Sequence, residues 1–259
     1  MRLRDCGWVW EGQGIDPGVA PSIFGAGEGA RFFGLSRANF MFHPNSPLAM
    51  GKMSWMDEIV CDISKWKFRW PEQGGVAHWV DAKAESVQAE AELVSRLSLQ
   101  FPNIAGAIHD DARGLLKREG YGAEKYGAIS AALKSSNPEM KLWTVVYTHE
   151  LDDGWRDFLP HVDIVNLWVW KPEEIPALPE NLEKCRAIFP GKPVIIGCYL
   201  RDYGKAAPVP MEFLQMQFEM TVGFIRDGKA AGFSILGAVL IDGQLEQAEW
   251  ARDFIATNS

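Results

Sequence analysis

The sequence has 259 residues, of which 47% are hydrophobic and 23% are charged, a composition that excludes disordered and collagen-like chains. It carries 26 Lys and Arg against 34 Asp and Glu, and the resulting net charge of −8 disfavours nucleic acid and anionic lipid as partners. The longest apolar run, Gly232 to Ile241, is shorter than the roughly 20 residues of a membrane-spanning helix, so no membrane partner is predicted.

The start of the chain, Met1 to Cys6, contains two arginines but lacks the apolar stretch of a secretory signal. The sequence as given therefore predicts a cytoplasmic protein, or a secreted or periplasmic one if a leader has been removed. The closest two of the four cysteines, Cys185 and Cys198, are 13 positions apart, which excludes CxxC zinc and redox motifs. Oligomeric state is not predicted from these features.

The first 57 residues contain two strand candidates, Cys6–Trp10 and Arg31–Phe42. Prolines and glycines in the connections 12–30 and 43–57 predict short or irregular helices there. The glycine-rich stretch Gly25–Gly29 does not match G-x-G-x-x-G and precedes a strand-like segment, so a phosphate-binding loop is not expected.

From residue 58 onward, apolar runs of strand length alternate with segments of helix length, which is typical of a parallel sheet covered by helices. The predicted strands are Glu58–Ile63, Ile104–Ile108, Leu142–Tyr147, Asp163–Trp170, Val194–Leu200 and Gly232–Ile241. The predicted helices are Ala84–Gln100, Ala123–Ser135, Trp155–Leu159, Pro179–Phe189, Met211–Arg226 and Leu245–Ala256.

Together these segments make eight strand–helix units, which is the number expected for a single (β/α)8 TIM barrel domain over residues 1–259. An open, doubly wound sheet is the competing architecture, but it would not need eight strands. No linker is visible on which a division into two domains could lie.

Active sites of such barrels lie at the carboxyl ends of the strands, and this sequence places acids, histidines and tryptophans at those ends. The strongest element is His109-Asp110-Asp111, after the fourth strand. Because side chains alternate along a strand, one aspartate can point over the barrel axis while the other braces a loop or caps the next helix. As a second carboxylate across the mouth we consider Asp202 first and Glu150 second.

Two carboxyl groups about 5 to 10 Å apart are what glycosidic cleavage requires, and burial beside aromatic rings would raise the pKa of one of them. Tryptophans supply such rings, since Trp8 shares a strand face with Trp10 and Trp168 shares one with Trp170. If those faces are the barrel interior, the outer indole of each pair reaches the mouth, where it suits a sugar ring. If not, the indoles pack beneath the helices.

Further substrate contacts are expected from polar and aromatic side chains near the strand ends. They are Trp10, Glu11, Asn39, His109, Tyr147, His149, Trp168, Trp170, Tyr199 and Asp242. The stretch Lys65–Trp70 interleaves three cations with three aromatic rings, a pattern suited either to a substrate carboxylate or sulfate or to a solvated loop edge.

The segments Ile104–Asp111, Leu142–Tyr147 and Gly197–Tyr203 resemble the broad group of (β/α)8 glycoside hydrolases, including bacterial barrel proteins of that kind. In the large retaining clan of these enzymes the acid/base ends strand 4 and the nucleophile ends strand 7. The resemblance implies Asp110 or Asp111 for the first role and Asp202 for the second. That clan uses glutamates, the first preceded by Asn, so the resemblance implies the reaction class alone.

The leading hypothesis is a carbohydrate-active hydrolase that needs no metal or other cofactor. In it Asp110 or Asp111 is the general acid, Asp202 or Glu150 is the base or nucleophile, and nearby aromatic and histidine side chains orient the sugar. These orienting side chains are Tyr147, Tyr199 and His149.

Two alternatives remain open at this point. One is a metal-dependent sugar isomerase, epimerase or lyase, and the other is a barrel that binds sugar without turnover. The metal ligands of the first alternative would be His149, Glu150, Asp202 and Asp242.

Overall fold

The computed structural model describes residues 2–11, 19–64, 66–69 and 77–259. Its strands are β1 (Gly7–Trp10), β2 (Arg37–Phe40), β3 (Glu58–Asp62), β4 (Trp66–Arg69), β5 (Ala77–Val80), β6 (Ile104–His109), β7 (Lys141–Tyr147), β8 (Ile164–Trp168), β9 (Val194–Tyr199), β10 (Arg201–Asp202), β11 (Ala207–Pro208) and β12 (Gly232–Leu236). Its α-helices are α1 (Ala26–Phe33), α2 (Pro47–Lys52), α3 (Ala84–Ser98), α4 (Ala112–Glu119), α5 (Ala123–Leu133), α6 (Leu178–Ile188), α7 (Met211–Arg226) and α8 (Leu245–Thr257). Short 3-10 helices lie at Leu3–Asp5, Thr148–Glu150, Asp153–His161, Pro172–Ala177 and Ala238–Leu240.

Eight parallel strands close into a barrel in the order β1-β12-β9-β8-β7-β6-β3-β2. The remaining strands form two small antiparallel hairpins, β4–β5 and β10–β11. The predicted (β/α)8 barrel is therefore confirmed. The first two crossover helices are short, as expected, with eight residues in α1 and six in α2.

The predicted strand Arg31–Phe42 is wrong over its first part. Helix α1 occupies Ala26–Phe33, and only Arg37–Phe40 is extended. The helix ends because Gly34 takes the left-handed conformation, with φ of 68°, and its N–H caps the last turn. Gly25 is the N-cap of α1 and Ala26–Gly29 form its first turn, so this stretch does not precede a strand as expected.

The last predicted strand is also too long. Gly232–Ile241 is extended only as far as Leu236, and a 3-10 turn follows at Ala238–Leu240. Ala238 and Leu240 of that turn are buried, and the turn packs against α1, which is why hydrophobicity alone did not mark the strand end.

Tryptophan side chains fill the barrel interior. Trp8 meets Trp143 edge to face at 5.1 Å between ring centroids, and Trp10 meets Trp168 at 5.3 Å. Both pairs join strands that are not neighbours in the barrel, so these indoles point inward. The Trp168 ring fits because residue 197 is glycine: a Cβ added to Gly197 would lie 2.0 Å from that ring.

The barrel interior also holds a short polar chain. The Ser234 hydroxyl donates to Asn39 Oδ1 at 2.9 Å, and Asn166 Nδ2 donates to Ser234 Oγ at 3.1 Å. Three strands on different sides of the barrel are thereby tied together in its core. Within the described part of the chain, no helix is long and apolar enough to cross a membrane.

Candidate active site

A cavity of about 570 Å³ opens at the carboxyl ends of β6, β7 and β8. Its walls come from the loops that follow these strands and from the first turns of α4. The lining residues are Asp111, Gly114, Leu115, Arg118, Tyr147, His149, Glu150, Trp170, Lys171 and Glu174. Several predicted site residues are therefore brought together, namely Asp111, Tyr147, His149, Glu150 and Trp170.

Asp111 forms the turn between β6 and α4 with a left-handed backbone, φ 47°. Aspartate tolerates this region better than most residues, although the conformation still costs energy. The Tyr147 hydroxyl donates to Asp111 Oδ1 at 2.7 Å. Burial raises the pKa of Asp111, and the hydrogen bond from Tyr147 offsets part of that rise.

Asp110 lies on the same face of its strand as the inward-facing Ile108 and is buried. Its Oδ1 accepts the N–H of Asp111 at 2.9 Å. Burial raises the pKa of Tyr199 well above its ordinary value, and the negative charges of neighbouring groups, including both aspartates, add to the rise. The two carboxylates and the tyrosines of β7 and β9 therefore form one electrostatic cluster.

Glu150 lies one 3-10 turn beyond the end of β7. Its Oε2 accepts the backbone N–H of Tyr147 at 3.2 Å. Burial is the main cause that raises the pKa of Glu150, and the charge of Asp111 adds to it. Arg113 holds this loop, because its guanidinium donates to the Glu150 carbonyl oxygen at 2.5 Å and to both carboxylate oxygens of Asp152.

Aromatic rings form the remaining wall of the cavity. Trp170 is 37% exposed and stacks on Tyr203 with ring centroids 5.9 Å apart. Its ring meets Tyr147 and Tyr199 edge to face, at 5.6 and 6.3 Å. His149 stacks on Tyr147 at 5.4 Å. Partly exposed aromatic faces beside carboxylates suit a ligand with alternating C–H and hydroxyl surfaces.

Asp202, which the sequence suggested first as the second catalytic carboxylate, binds groups of the protein outside the cavity lining. After β9 the chain enters the β10–β11 hairpin instead of a helix, and Asp202 lies in it. Its Oδ1 accepts the backbone N–H of Lys205 at 3.1 Å, and Lys205 Nζ lies 3.4 Å from Oδ2. The side chain braces this turn and does not contribute to the lining of the cavity.

His109 points out of the barrel and stacks on Tyr126 of α5, with ring centroids 5.6 Å apart. Neither ring nitrogen has a hydrogen-bond partner among the described residues, and complete burial lowers the pKa of His109 to about 4. The sequence expectation that His109 contacts substrate therefore does not fit its position. Trp10, Trp168 and Asn39 lie inside the barrel, beneath the mouth.

Glu11 and Asp242 lie at strand ends but bind the protein's own groups. Glu11 Oε1 accepts the Ala26 N–H at 3.3 Å and lies 3.4 Å from His43 Nε2. Asp242 Oδ2 accepts the Ser22 hydroxyl and, at 3.1 Å, the N–H of Ile23. Both carboxylates hold the connection between β1 and α1.

The ligand set of the metal-dependent alternative is not assembled, since Asp202 and Asp242 are held at the contacts just described. Among the residues that the structure describes, no three His, Cys, Asp or Glu side chains are grouped so that they could hold a metal ion. The aromatic and basic stretch Lys65–Trp70 begins and ends outside the described residues, and its predicted role in anion binding stays a prediction.

Sequence reasoning missed Asp62, the last residue of β3, which shares the inward strand face with Val60. Burial raises the pKa of Asp62 to about 6, although hydrogen bonds from Ser64 and Phe42 oppose the rise. Strand alternation could have identified it, because Asp62 is the last inward-facing residue of the predicted strand Glu58–Ile63. Lys171 and Glu174 were also missed; they lie at the start of and within the 3-10 helix Pro172–Ala177 that follows β8.

Solved structures that share this fold include carbohydrate-active enzymes and an aldolase. A β-glucuronidase from Bacteroides uniformis aligns with a TM-score of 0.57 at 10% identity, over 93% of this chain and 31% of that one. A candidate α-L-fucosidase from Bacteroides thetaiotaomicron gives 0.57 at 8% identity, over 88% and 84%. The aldolase QR15 gives 0.51 at 11% identity, over 96% and 97%.

This chain thus spans less than a third of the length of the glucuronidase. The likeness to barrels of glycoside hydrolases is confirmed at the level of the fold. Because the same fold carries a glucuronidase and an aldolase, it does not identify a reaction. No protein-family model matches the sequence, and no curated protein matches it.

Proposed function

We propose that this chain is a carbohydrate-active hydrolase that cleaves a glycosidic bond with Asp111 and Glu150 as its paired carboxyl groups. One observation carries the proposal: both groups line the same cavity at the strand ends, and burial raises the pKa of each. Raised pKa values allow one carboxyl group to keep a proton while the other is ionised, which is the state that glycosidic cleavage uses.

The chemistry follows from these two protonation states. The protonated carboxyl group donates its proton to the glycosidic oxygen as the bond from that oxygen to the anomeric carbon breaks. Water adds to the anomeric carbon, and its proton passes to the ionised carboxylate. Asp110, buried beside this pair, contributes negative charge that stabilises a cationic sugar in the transition state.

The aromatic wall supplies the binding surface in this proposal. Trp170 offers a partly exposed indole, and Tyr147 and His149 form a stacked pair next to it. Tyr199, beneath them, carries a hydroxyl group in the same cluster. The neighbouring β-glucuronidase and candidate fucosidase folds support a carbohydrate as the substrate class.

A panel of nitrophenyl and methylumbelliferyl glycosides together with natural oligosaccharides tests the proposal. We expect hydrolysis of at least one glycoside, and a loss of about a thousandfold in kcat for Asp111→Asn. The matched control is Asp153→Asn, since the Asp153 side chain is 93% exposed and lies outside the cavity lining. That control should keep kcat within twofold.

Three outcomes would contradict the proposal. Full activity in Asp111→Asn or in Glu150→Gln would remove that carboxyl group from the mechanism. Saturable sugar binding with no turnover on any glycoside would favour the barrel that binds without catalysis. Activity lost on chelation and restored by a divalent ion would favour the metal-dependent alternative.

A further inference from the structure

A chain of hydrogen bonds joins the carboxyl end of β3 to the carboxyl end of β6. Asp62 Oδ1 accepts the backbone N–H of Ser64 at 2.7 Å. Ser64 Oγ in turn accepts the backbone N–H of Asp110 at 2.7 Å. All three residues are buried, so water does not compete strongly for these contacts.

This contact replaces a missing strand pairing. The register between β3 and β6 ends at Asp62 and Ile108, and the Ile63 N–H still reaches the Ile108 carbonyl oxygen at 3.0 Å. Two residues later, the N–H of Asp110 finds a side-chain oxygen instead of a strand carbonyl. A buried N–H requires such a partner, and Ser64 is the residue that provides it.

The Asp62 carboxylate determines how Ser64 is held. The backbone N–H of Ser64 donates to that carboxylate, and both this bond and the Ser64 hydroxyl lower the pKa of Asp62. Because a hydroxyl has one proton and two lone pairs, Ser64 Oγ can accept the Asp110 N–H and donate to Asp62 at the same time. Asp62 Oδ2 also accepts the N–H of Phe42 at 3.4 Å, where the backbone is left-handed with φ of 65°.

The turn that Ser64 holds is the one that carries the proposed catalytic groups. Asp110 Oδ1 accepts the Asp111 N–H, and Asp111 has the strained positive φ that leads into α4. A strained turn keeps its geometry only when its surroundings restrain it. The bond from the Asp110 N–H to Ser64 restrains its first residue.

We propose that Ser64 and Asp62 are positioning residues for the Asp110–Asp111 turn. Neither contacts the sugar; they set the angle at which the two carboxylates enter the mouth. This inference rests on the proposed function of Asp111, and it assigns roles to two residues outside the cavity lining.

The chain contains a matched control at the opposite end of the barrel. The Ser36 hydroxyl donates to Asp57 Oδ2 at 2.5 Å. This serine and aspartate directly precede β2 and β3, at the amino ends of those strands. Ser36→Ala therefore removes a serine–aspartate hydrogen bond of the same kind, far from the proposed chemistry.

The kinetic test compares Ser64→Ala, Ser64→Thr and Ser36→Ala on a glycoside that the wild type hydrolyses. We expect Ser64→Ala to lower kcat about 10- to 100-fold with KM within threefold, because misplaced acid/base groups affect the chemical step. Ser64→Thr keeps the hydroxyl and should recover most of kcat. Ser36→Ala should keep kcat within twofold. If Ser64→Ala does not fold, Ser64→Cys, with its weaker acceptor, takes its place.

A second measurement is independent of turnover. Amide hydrogen exchange, followed by NMR, should be at least about tenfold faster at Asp110 in Ser64→Ala and unchanged there in Ser36→Ala. If Asp111→Asn is inactive while Ser64→Ala keeps both kcat and slow exchange at Asp110, the positioning role alone is overturned. If Asp110→Asn and Asp111→Asn are both fully active, the proposed function fails, and slow exchange still reports whether Ser64 holds the turn.

Discussion

The two walls of the barrel mouth use the same residue types differently. On the wall formed by β6, β7 and β8, Asp111 and Glu150 face a cavity. On the wall formed by β12, β1 and β2, Glu11 and Asp242 accept hydrogen bonds from the protein itself. Glu150 also accepts a backbone N–H, that of Tyr147, yet it lines the cavity, whereas Glu11 and Asp242 do not.

For Asp111, the length of the connection that follows its strand explains the difference from Glu11. The chain between β1 and α1 is long, and its N–H groups at Ile23 and Ala26 take their acceptors from Asp242 and Glu11. Between β6 and α4 only Asp110 and Asp111 intervene. A connection of two residues contains few N–H groups to satisfy, so an Asp111 oxygen remains available to Tyr147 and the cavity.

The largest expected effect comes from a matched pair of substitutions on the two walls. Glu150→Gln should lower kcat about a thousandfold, or about 4 kcal/mol in activation free energy, with little change in Tm. Glu11→Gln should lower Tm, because it removes the charge that faces His43, and should reduce kcat far less. Kinetics and thermal unfolding of both variants measure this. Equal losses of kcat would abolish the distinction between the walls.

The next effect concerns the back of the cavity wall, where His109 faces α5. Its folded-state pKa of about 4 lies below the ordinary 6.5, so its neutral form favours folding. That contribution is complete above pH 6.5 and is lost as pH falls through about 4, a change of about 3 kcal/mol. His109→Phe should remove this dependence in urea unfolding measured between pH 7 and pH 4.

Asp62 changes the free energy of unfolding with pH in the opposite direction, because its folded-state pKa of about 6 lies above the ordinary 3.8. Its protonated form stabilises the fold fully below pH 3.8, and this stabilisation is lost as pH rises through 6. The pH dependence of the free energy of unfolding of the wild type therefore contains contributions from both His109 and Asp62. The difference between wild type and His109→Phe isolates the histidine. An unchanged slope in the variant would show that His109 titrates normally in the folded protein.

A smaller effect is expected at the aromatic surface of the cavity. Trp170→Ala should raise KM about tenfold, or about 1.4 kcal/mol, because the sugar loses a stacking surface. Trp55→Ala is a matched control: Trp55 is 39% exposed against 37% for Trp170, but it lies before β3 and contacts Arg31. Steady-state kinetics of both variants measure the effect. A similar rise in KM for both would count against stacking.

The smallest effect is a shift of the pH profile by Tyr147→Phe. The Tyr147 hydroxyl lowers the pKa of Asp111, so its removal should raise that pKa further. If Asp111 acts as the protonated acid, activity is lost as pH rises through its pKa, and the alkaline limb should move to higher pH. The profile of kcat/KM measures this, and a shift to lower pH would exclude Asp111 as the acid.

The six barrel strands from residue 58 onward were predictable because they are continuous apolar runs, buried on both faces, that alternate with amphipathic segments of helix length. Helix α4 and the hairpins β4–β5 and β10–β11 were not predicted. The segment Arg31–Phe42 was predicted wrongly, because a helix with Phe32 and Phe33 runs directly into a strand and the boundary depends on the positive φ of Gly34. Hydrophobicity along the chain does not record that change of backbone conformation.

The apolar pattern of the chain was sufficient to predict a barrel of eight strands and to place His109-Asp110-Asp111 at the carboxyl end of the fourth of them. Which second carboxylate shares a cavity with Asp111 became evident from the folded structure. Glu150 faces the cavity, whereas Asp202 braces a hairpin with Lys205. The reason is physical: Asp202 is held by Lys205 within a hairpin that the apolar pattern does not reveal, whereas the Tyr147 hydroxyl that reaches Asp111 comes from another strand and meets it only when the barrel closes.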